Sequence, residues 1–251
     1  MPITTHLDGA VGTLVIDNPT RRNAMNLSMY AAVPDAVSSL LAHDDLRVVV
    51  LRGAGDAAFG AGSDITEFAE HRWGDAAERY NQIEAAAARA IEDIPVPVIA
   101  AIHGACMGGG VGLALCADLR YAADDARFAV TPGKLGVGYP PDAMSRLVAA
   151  VGEARAKELV FTARVIDAAQ AERYGLVNAV VPKAELDAHI ASVAAEIAKL
   201  APLSLRAAKL AVREPHSAAT ADAVRRCFSS DDYAEGIRSH AEKRTPVFRG
   251  R

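Results

Sequence analysis

Pro97-Val98-Ile99-Ala100-Ala101-Ile102-His103-Gly104-Ala105-Cys106-Met107-Gly108-Gly109-Gly110-Val111-Gly112 is the stretch that decides the fold. Its first six residues form a short unbroken apolar run, the pattern of a strand buried on both faces. The glycine cluster then breaks the strand, and Leu113–Ala117 reads as the start of a helix. The same order occurs earlier in the chain. Arg47–Leu51 is a buried strand ended by Gly53-Ala54-Gly55, and Phe59-Gly60-Ala61-Gly62-Ser63-Asp64-Ile65 is a second glycine-rich turn. Strand, glycine turn and helix start, used twice, point to an α/β fold.

Outward from these turns, Val11–Ile16 reads as a strand closed by Asp17-Asn18-Pro19, and the residues before it are strand-like from the N-terminus. Leu27–Ala42 has helical spacing, with Pro34 expected in or near its first turns, and Ala76–Glu92 is an alanine-rich helix. Beyond about residue 140 the pattern turns helical: Glu153–Thr162, Asp167–Tyr174, Lys183–Leu200, Leu203–Val212 and Ala219–Cys227, with only Val177–Val181 strand-like. The expected organisation is a sheet-based core over residues 1–200 and a helical region over 201–251.

With 251 residues, 51% of them hydrophobic, the chain can bury a sizeable core. Its 27 basic and 31 acidic residues argue against nucleic acid as a main partner, which needs clustered Lys and Arg. No apolar run reaches the roughly 20 residues of a membrane span. Neither end carries a recognisable targeting signal, so a cytoplasmic protein is expected. Cys106, Cys116 and Cys227 sit in apolar sequence and read as buried reduced thiols.

At each glycine turn, backbone N–H groups without partners can aim at one anionic oxygen, and glycine permits close approach. The blander reading of either turn is tight packing. Gly108–Gly112 is not a dinucleotide fingerprint, because Leu113 stands where that pattern needs glycine. Neither turn is followed by a phosphate-loop Gly-Lys-Ser/Thr. Ser63 lacks a nucleophile elbow, since Ile65 stands where glycine is required. None of the seven histidines has metal-ligand spacing, and no metal is expected.

Taken together, Asn23-Ala24-Met25-Asn26, Leu51-Arg52-Gly53-Ala54-Gly55…Phe59…Ala61-Gly62-Ser63-Asp64 and His103-Gly104…Gly108-Gly109-Gly110…Cys116-Ala117-Asp118 resemble the crotonase (enoyl-CoA hydratase/isomerase) superfamily. The tail Asp231-Asp232-Tyr233-Ala234-Glu235-Gly236…Glu242-Lys243-Arg244-Thr245-Pro246 does so too, and the resemblance spans essentially the whole chain. It implies a spiral of ββα units with a C-terminal helical trimerisation region, assembled as a homotrimer or a dimer of trimers. It also implies an acyl-CoA thioester as substrate, with coenzyme A as part of that substrate and no separate cofactor. The family's oxyanion hole falls on the backbone N–H groups of Ser63 and Gly109. Asn23, Ala24 and Met25 match the segment lining the CoA arm, Ala61, Asp64 and Ile65 the adenine-side wall, and Lys243 a lysine that holds the CoA phosphates.

The resemblance places the two hydratase glutamates at Gly112 and Pro132, and the isomerase glutamate at Pro140. None of these residues can exchange a proton, which argues against hydration by two carboxylates. Thr131-Pro132-Gly133-Lys134-Leu135-Gly136-Val137-Gly138-Tyr139 instead resembles the bacterial methylmalonyl-CoA decarboxylase branch, which carries a Thr-Pro pair and a Tyr here. That branch has His where this chain has Ser63, and a glutamate where it has Gly112. Loss of CO₂ leaves an enolate without a base having to remove a proton, so decarboxylation of a methylmalonyl-CoA-like thioester is the leading expectation, with Thr131 and Tyr139 in the site. Tyr139 has a plainer reading, a half-buried ring with its hydroxyl bonded to backbone. The alternatives are a hydratase or isomerase with a relocated acid/base, Asp142 being nearest in sequence, and a non-catalytic acyl-CoA-binding protein.

Overall fold

In the computed structural model, residues 2–251 are described. The chain opens with an antiparallel hairpin, β1 (Ile3–Asp8) and β2 (Val11–Ile16). Helix α1 (Leu27–Leu41) leads to β3 (Val48–Gly53), which pairs in parallel with β2. From there a unit repeats: a long strand, a short strand, then a helix or turn. β3 is followed by β4 (Ala58–Gly60), the single turn α2 (Phe68–His71) and α3 (Ala76–Glu92). β5 (Val98–Ile102) is followed by β6 (Ala105–Met107) and α4 (Gly109–Ala114). β7 (Leu119–Ala123) and β8 (Arg127–Ala129) come next, then α5 (Pro132–Leu135), α6 (Pro141–Val151) and α7 (Glu153–Thr162). A short β9 (Ile166–Asp167), α8 (Ala168–Tyr174), β10 (Ala179–Val181) and α9 (Leu186–Ala198) complete the core.

The long strands build one six-stranded sheet, β1-β2-β3-β5-β7-β10, and the short ones a second, β4-β6-β8-β9. This is the spiral of ββα units. The side-chain period of two explains the unbroken apolar strands. Val49 and Leu51 of β3 face the main core, whereas Val48 and Val50 pack with Ile99 and Ala101 under Leu186, Ile190 and Ala194 of α9.

Three expectations are corrected. Pro34 lies at the eighth position of α1, not in its first turns, and Asn26 caps the helix by accepting from the Met29 N–H at 2.8 Å. The buried stripe Met29, Tyr30, Val33, Val37 and Leu40 runs through the proline. Burial of five large side chains at about 1.5–3 kcal/mol each outweighs the roughly 3 kcal/mol an interior proline costs. The helix expected over Leu113–Ala117 is α4, and it begins four residues earlier inside the glycine cluster. Cys106 and Cys116 are buried free thiols as expected, but Cys227 is only half-buried.

After α9 the chain bends by 105° into α10 (Pro202–Arg213), followed by α11 (Ala218–Phe228) and α12 (Asp231–Glu242). Among the described residues no single helix is long and apolar enough to cross a membrane. These last helices leave Val212 86%, Phe228 66% and Ile237 57% exposed.

Candidate active site

Backbone bonds hold the first glycine turn to Met25 and the second to Ala129, and the Phe59 N–H, donating to the His103 carbonyl at 2.8 Å, ties the two stretches together. The Met25 N–H donates to the Gly62 carbonyl at 2.8 Å, the Asp64 N–H to the Met25 carbonyl at 2.7 Å, and the Gly108 N–H to the Ala129 carbonyl at 2.8 Å. Gly62 has φ +95°, and a methyl group there would sit 2.9 Å from the Met107 carbonyl oxygen, so only glycine fits. A methyl group at Gly109 would lie 2.7 Å from the Tyr30 hydroxyl and 3.4 Å from the Ser63 nitrogen. The Ser63 and Gly109 amides therefore approach each other, and among the described residues neither N–H donates to another protein group. Gly109 opens α4, where first-turn amides lack helical partners.

Both amides border a cavity of about 660 Å³. Its floor is the pair of glycine turns. The rest of its lining comes from α3, from the loop through Thr131 and Tyr139, and from the start of α6. Gly112, Pro132 and Pro140 all line it, and a methyl group at Gly112 would meet no atom within 4 Å. The space a carboxylate side chain would need at that position is open.

Side chains give this lining its charge. Arg72 and Glu84 pair at 2.8 Å, with side chains only 8% and 19% exposed. The guanidinium lies over the rings of Tyr80, at 4.5 Å, and Phe68, at 5.1 Å. Burial raises the Glu84 carboxyl above the ordinary glutamate value, while Arg72 and the Ser63 hydroxyl oppose that shift. Ser63 Oγ and the Tyr30 hydroxyl share a hydrogen bond of 3.0 Å, and burial holds the Tyr30 phenol well above its usual range. The Tyr139 hydroxyl is buried without a partner among the described residues, so its plainer reading, a bond to backbone, does not hold. Burial pushes this phenol up to about 12, with Arg146 opposing. Arg146 pairs with Glu92 at 3.1 Å, and its Nε is also buried without a partner.

Of the residues singled out in the sequence, Ser63, Gly109, Tyr139, Thr131, Ala61, Ile65 and Asp142 line this cavity. Asn23, Ala24 and Met25 are buried behind the first turn. Asn23 Nδ2 donates to the Ala54 and Ala58 carbonyls at 2.9 and 2.7 Å, and its Oδ1 accepts from the Asn18 N–H at 2.9 Å. Its side chain is thus a brace for the turn, because a buried amide must be satisfied and backbone is what surrounds it. Asp64 likewise turns away from the cavity: it pairs with Arg21 at 3.3 Å and accepts from the Thr66 N–H at 3.0 Å. The Thr66 hydroxyl holds this carboxyl below its ordinary value. Lys243 ends α12 in a left-handed conformation, exposed and off the cavity wall. Sequence reasoning missed Glu84, Arg72, Tyr30 and Arg146. For Glu84 a signal existed: it falls at the four-residue spacing Tyr80, Glu84, Ala88 on an alanine-rich helix, a carboxylate on a buried stripe. Among the described residues no cluster of His, Cys, Asp and Glu could hold a metal ion.

Residues 7–251 match the enoyl-CoA hydratase/isomerase family. A crotonyl-CoA hydratase from Syntrophomonas wolfei is 34% identical over 245 residues, 95% of this chain and 94% of that protein. A peroxisomal Δ(3,5)-Δ(2,4)-dienoyl-CoA isomerase from Arabidopsis thaliana is 34% identical over 265 residues, 98% of this chain and 95% of that one. An enoyl-CoA hydratase/carnithine racemase structure from Magnetospirillum magneticum superposes with a TM-score of 0.95 at 36% identity, covering 100% of this chain and 96% of that one.

Proposed function

The chain belongs to the enoyl-CoA hydratase/isomerase family, and from that premise we propose that it holds the oxygen of an acyl-CoA thioester, as an enolate, between the N–H groups of Ser63 and Gly109. The observation that carries this reading is the convergence of two unpartnered backbone donors on one cavity. Preorganised donors aimed at developing charge contribute roughly 10²–10³ in rate each. Their scaffold is rigid, being backbone bonded to backbone and braced by Asn23 and Tyr30. The chemistry asks for no cofactor beyond the CoA carried by the substrate. The exposed apolar face of residues 201–251 supports assembly of this region into a trimer or a dimer of trimers.

For the bond-breaking step, decarboxylation of a methylmalonyl-CoA-like thioester is the leading proposal. Gly112, Pro132 and Pro140 leave the three family carboxylate positions without a proton-transfer group, and the unpartnered Tyr139 hydroxyl is free to orient a leaving carboxylate. A second reading, isomerisation or hydration with a relocated acid/base, is favoured by Glu84 on the same wall. Methylmalonyl-CoA, crotonyl-CoA and a 3-enoyl-CoA, incubated side by side and read by mass spectrometry, separate the two. Loss of CO₂ supports the first, whereas hydration or a double-bond shift with no CO₂ replaces it by the second. Binding without turnover of any thioester leaves a non-catalytic acyl-CoA binder.

A further inference from the structure

Glu84 is a carboxylate that the motif positions gave no reason to expect. It sits on α3 and lines the same cavity as Ser63 and Gly109. Its position is held from several sides. Arg72, from the segment before α3, binds it at 2.8 Å, and Arg72 is itself fixed over the Tyr80 and Phe68 rings. The other groups facing it are the Ser63 hydroxyl on the first turn, Tyr30 on α1, Tyr80 on α3 and Tyr139 ahead of α6. A carboxylate with one arginine partner keeps lone pairs free, because ionised glutamate offers about four acceptor sites.

We propose that Glu84 is the acid/base that moves the proton at the α-carbon of the bound thioester, in place of the carboxylates absent from positions 112, 132 and 140. The geometry points to it because it lines the same cavity as the two amides and lies beside the Ser63 hydroxyl, within the space a thioester held on Ser63 and Gly109 would occupy. In the step, Glu84 Oε takes one α-proton. The C–H electron pair becomes the carbon–carbon double bond of the enolate, and the carbonyl pair moves onto the thioester oxygen held by the two N–H groups. In reverse, the carboxyl returns the proton to carbon and regains its charge. The inference rests on the enolate reading above and holds for either bond-breaking step: after loss of CO₂ the same carboxyl protonates the enolate, and in isomerisation it removes and redelivers a proton. Arg72 is a positioning residue that favours the ionised, proton-accepting form.

The test uses propionyl-CoA, which cannot be decarboxylated, hydrated or isomerised, in D₂O with the full-length protein. Deuterium gained at the α-carbon is read by mass spectrometry. The wild type should exchange, Glu84→Gln should slow exchange by about 10²–10⁴-fold, the usual contribution of a positioned acid/base, and Glu84→Asp should recover part of the rate. Propionyl-CoA affinity, measured by calorimetry, should be unchanged in Glu84→Gln, which a merely structural role for the Arg72–Glu84 pair would not allow. Arg72→Met should move the acid limb of the exchange–pH profile to higher pH, since it removes the group that lowers the Glu84 carboxyl. Exchange at the wild-type rate in Glu84→Gln, or loss of exchange in Asp142→Asn instead, overturns the proposal. So does a wild type that binds and turns over thioesters without exchanging α-protons. If the wild type neither binds nor turns over any thioester, the enolate reading fails with it.

Discussion

Two glutamates paired with arginine sit in different regions of this molecule, and their surroundings move them in opposite directions. Glu84, on the cavity wall, has one arginine at 2.8 Å, too few donors to offset its burial, and its carboxyl is raised. Glu235, on α12, accepts from Arg244 at 2.5 and 2.9 Å, from Arg238 at 2.6 and 3.2 Å and from the Val247 N–H at 3.1 Å. Those donors, the Arg244 side chain foremost, hold it far below the usual carboxylate range. The contrast extends to the neighbours. Asp232 accepts from the Arg249 and Gly250 N–H groups at 2.6 and 2.8 Å, so the tail of the chain has its carboxylates saturated with donors. Around the cavity the Ser63 and Gly109 N–H groups, the Tyr139 hydroxyl and Arg146 Nε have no protein partner among the described residues. Saturated groups hold structure together, whereas the two convergent N–H groups on the cavity are open to a ligand.

Changes at the cavity should therefore cost activity with little stability, and changes in the tail should do the reverse. The largest effect is expected at Ser63. Ser63→Pro removes a donor that bonds to nothing in the protein, so turnover should fall by roughly 10²–10³, while Ser63→Ala keeps the N–H and most of the activity. Steady-state rates alongside circular-dichroism melting check both. Loss of turnover in Ser63→Ala with CoA binding intact would transfer the role to the hydroxyl. Smaller is Tyr139→Phe, which should slow CO₂ release by about tenfold, the worth of roughly one hydrogen bond, with acyl-CoA affinity kept. An unaltered rate would return Tyr139 to a packing role.

In the tail, Glu235→Gln should leave the chemical step alone and free residues 243–251, seen as faster amide hydrogen exchange at Val247. The pH sign follows from its lowered carboxyl. The stabilisation is fully present above the ordinary, unfolded glutamate value and is lost as pH falls toward the depressed folded one, so acid should loosen the tail in the wild type but not further in Glu235→Gln. The mildest test concerns assembly. Light scattering at micromolar concentration should give the mass of a trimer or hexamer, and a charged residue at Ile237 or Phe228 should lower it. A monomeric mass for the wild type would mean that the exposed apolar face serves something else.

Much of the architecture was legible because it is written in local patterns. Val11–Ile16, Ala76–Glu92 and Glu153–Thr162 are read to the residue, since alternation, apolar runs and helical spacing each report a periodicity that folding preserves. The three-residue strands β4, β6 and β8 and the helix α6 were not legible. Strands that short carry too few residues to show a period, and they exist only as ladders stacked on one another. Pro34 was misjudged for a related reason: local propensity opposes it, and burial of the α1 stripe overrides that preference.

The sequence by itself determined the family and the glycine turns, because a backbone that must approach a neighbouring backbone or a ligand tolerates only glycine, as at Gly62 and Gly109, and such a constraint leaves a mark at fixed spacing. The resemblance also leads to the expectation that Gly112, Pro132 and Pro140 stand where family carboxylates belong. Which side chains join the turns around the cavity only the tertiary structure decided. Glu84 and Arg72 are twelve residues apart and lie 21 and 9 residues from Ser63, with no motif joining them, and the spacing that puts Glu84 on a buried stripe does not say that the stripe borders the cavity. The difference is burial, which depends on the helix that packs, the ring that stacks and the water that is excluded, and none of these is a property of neighbouring residues in the chain.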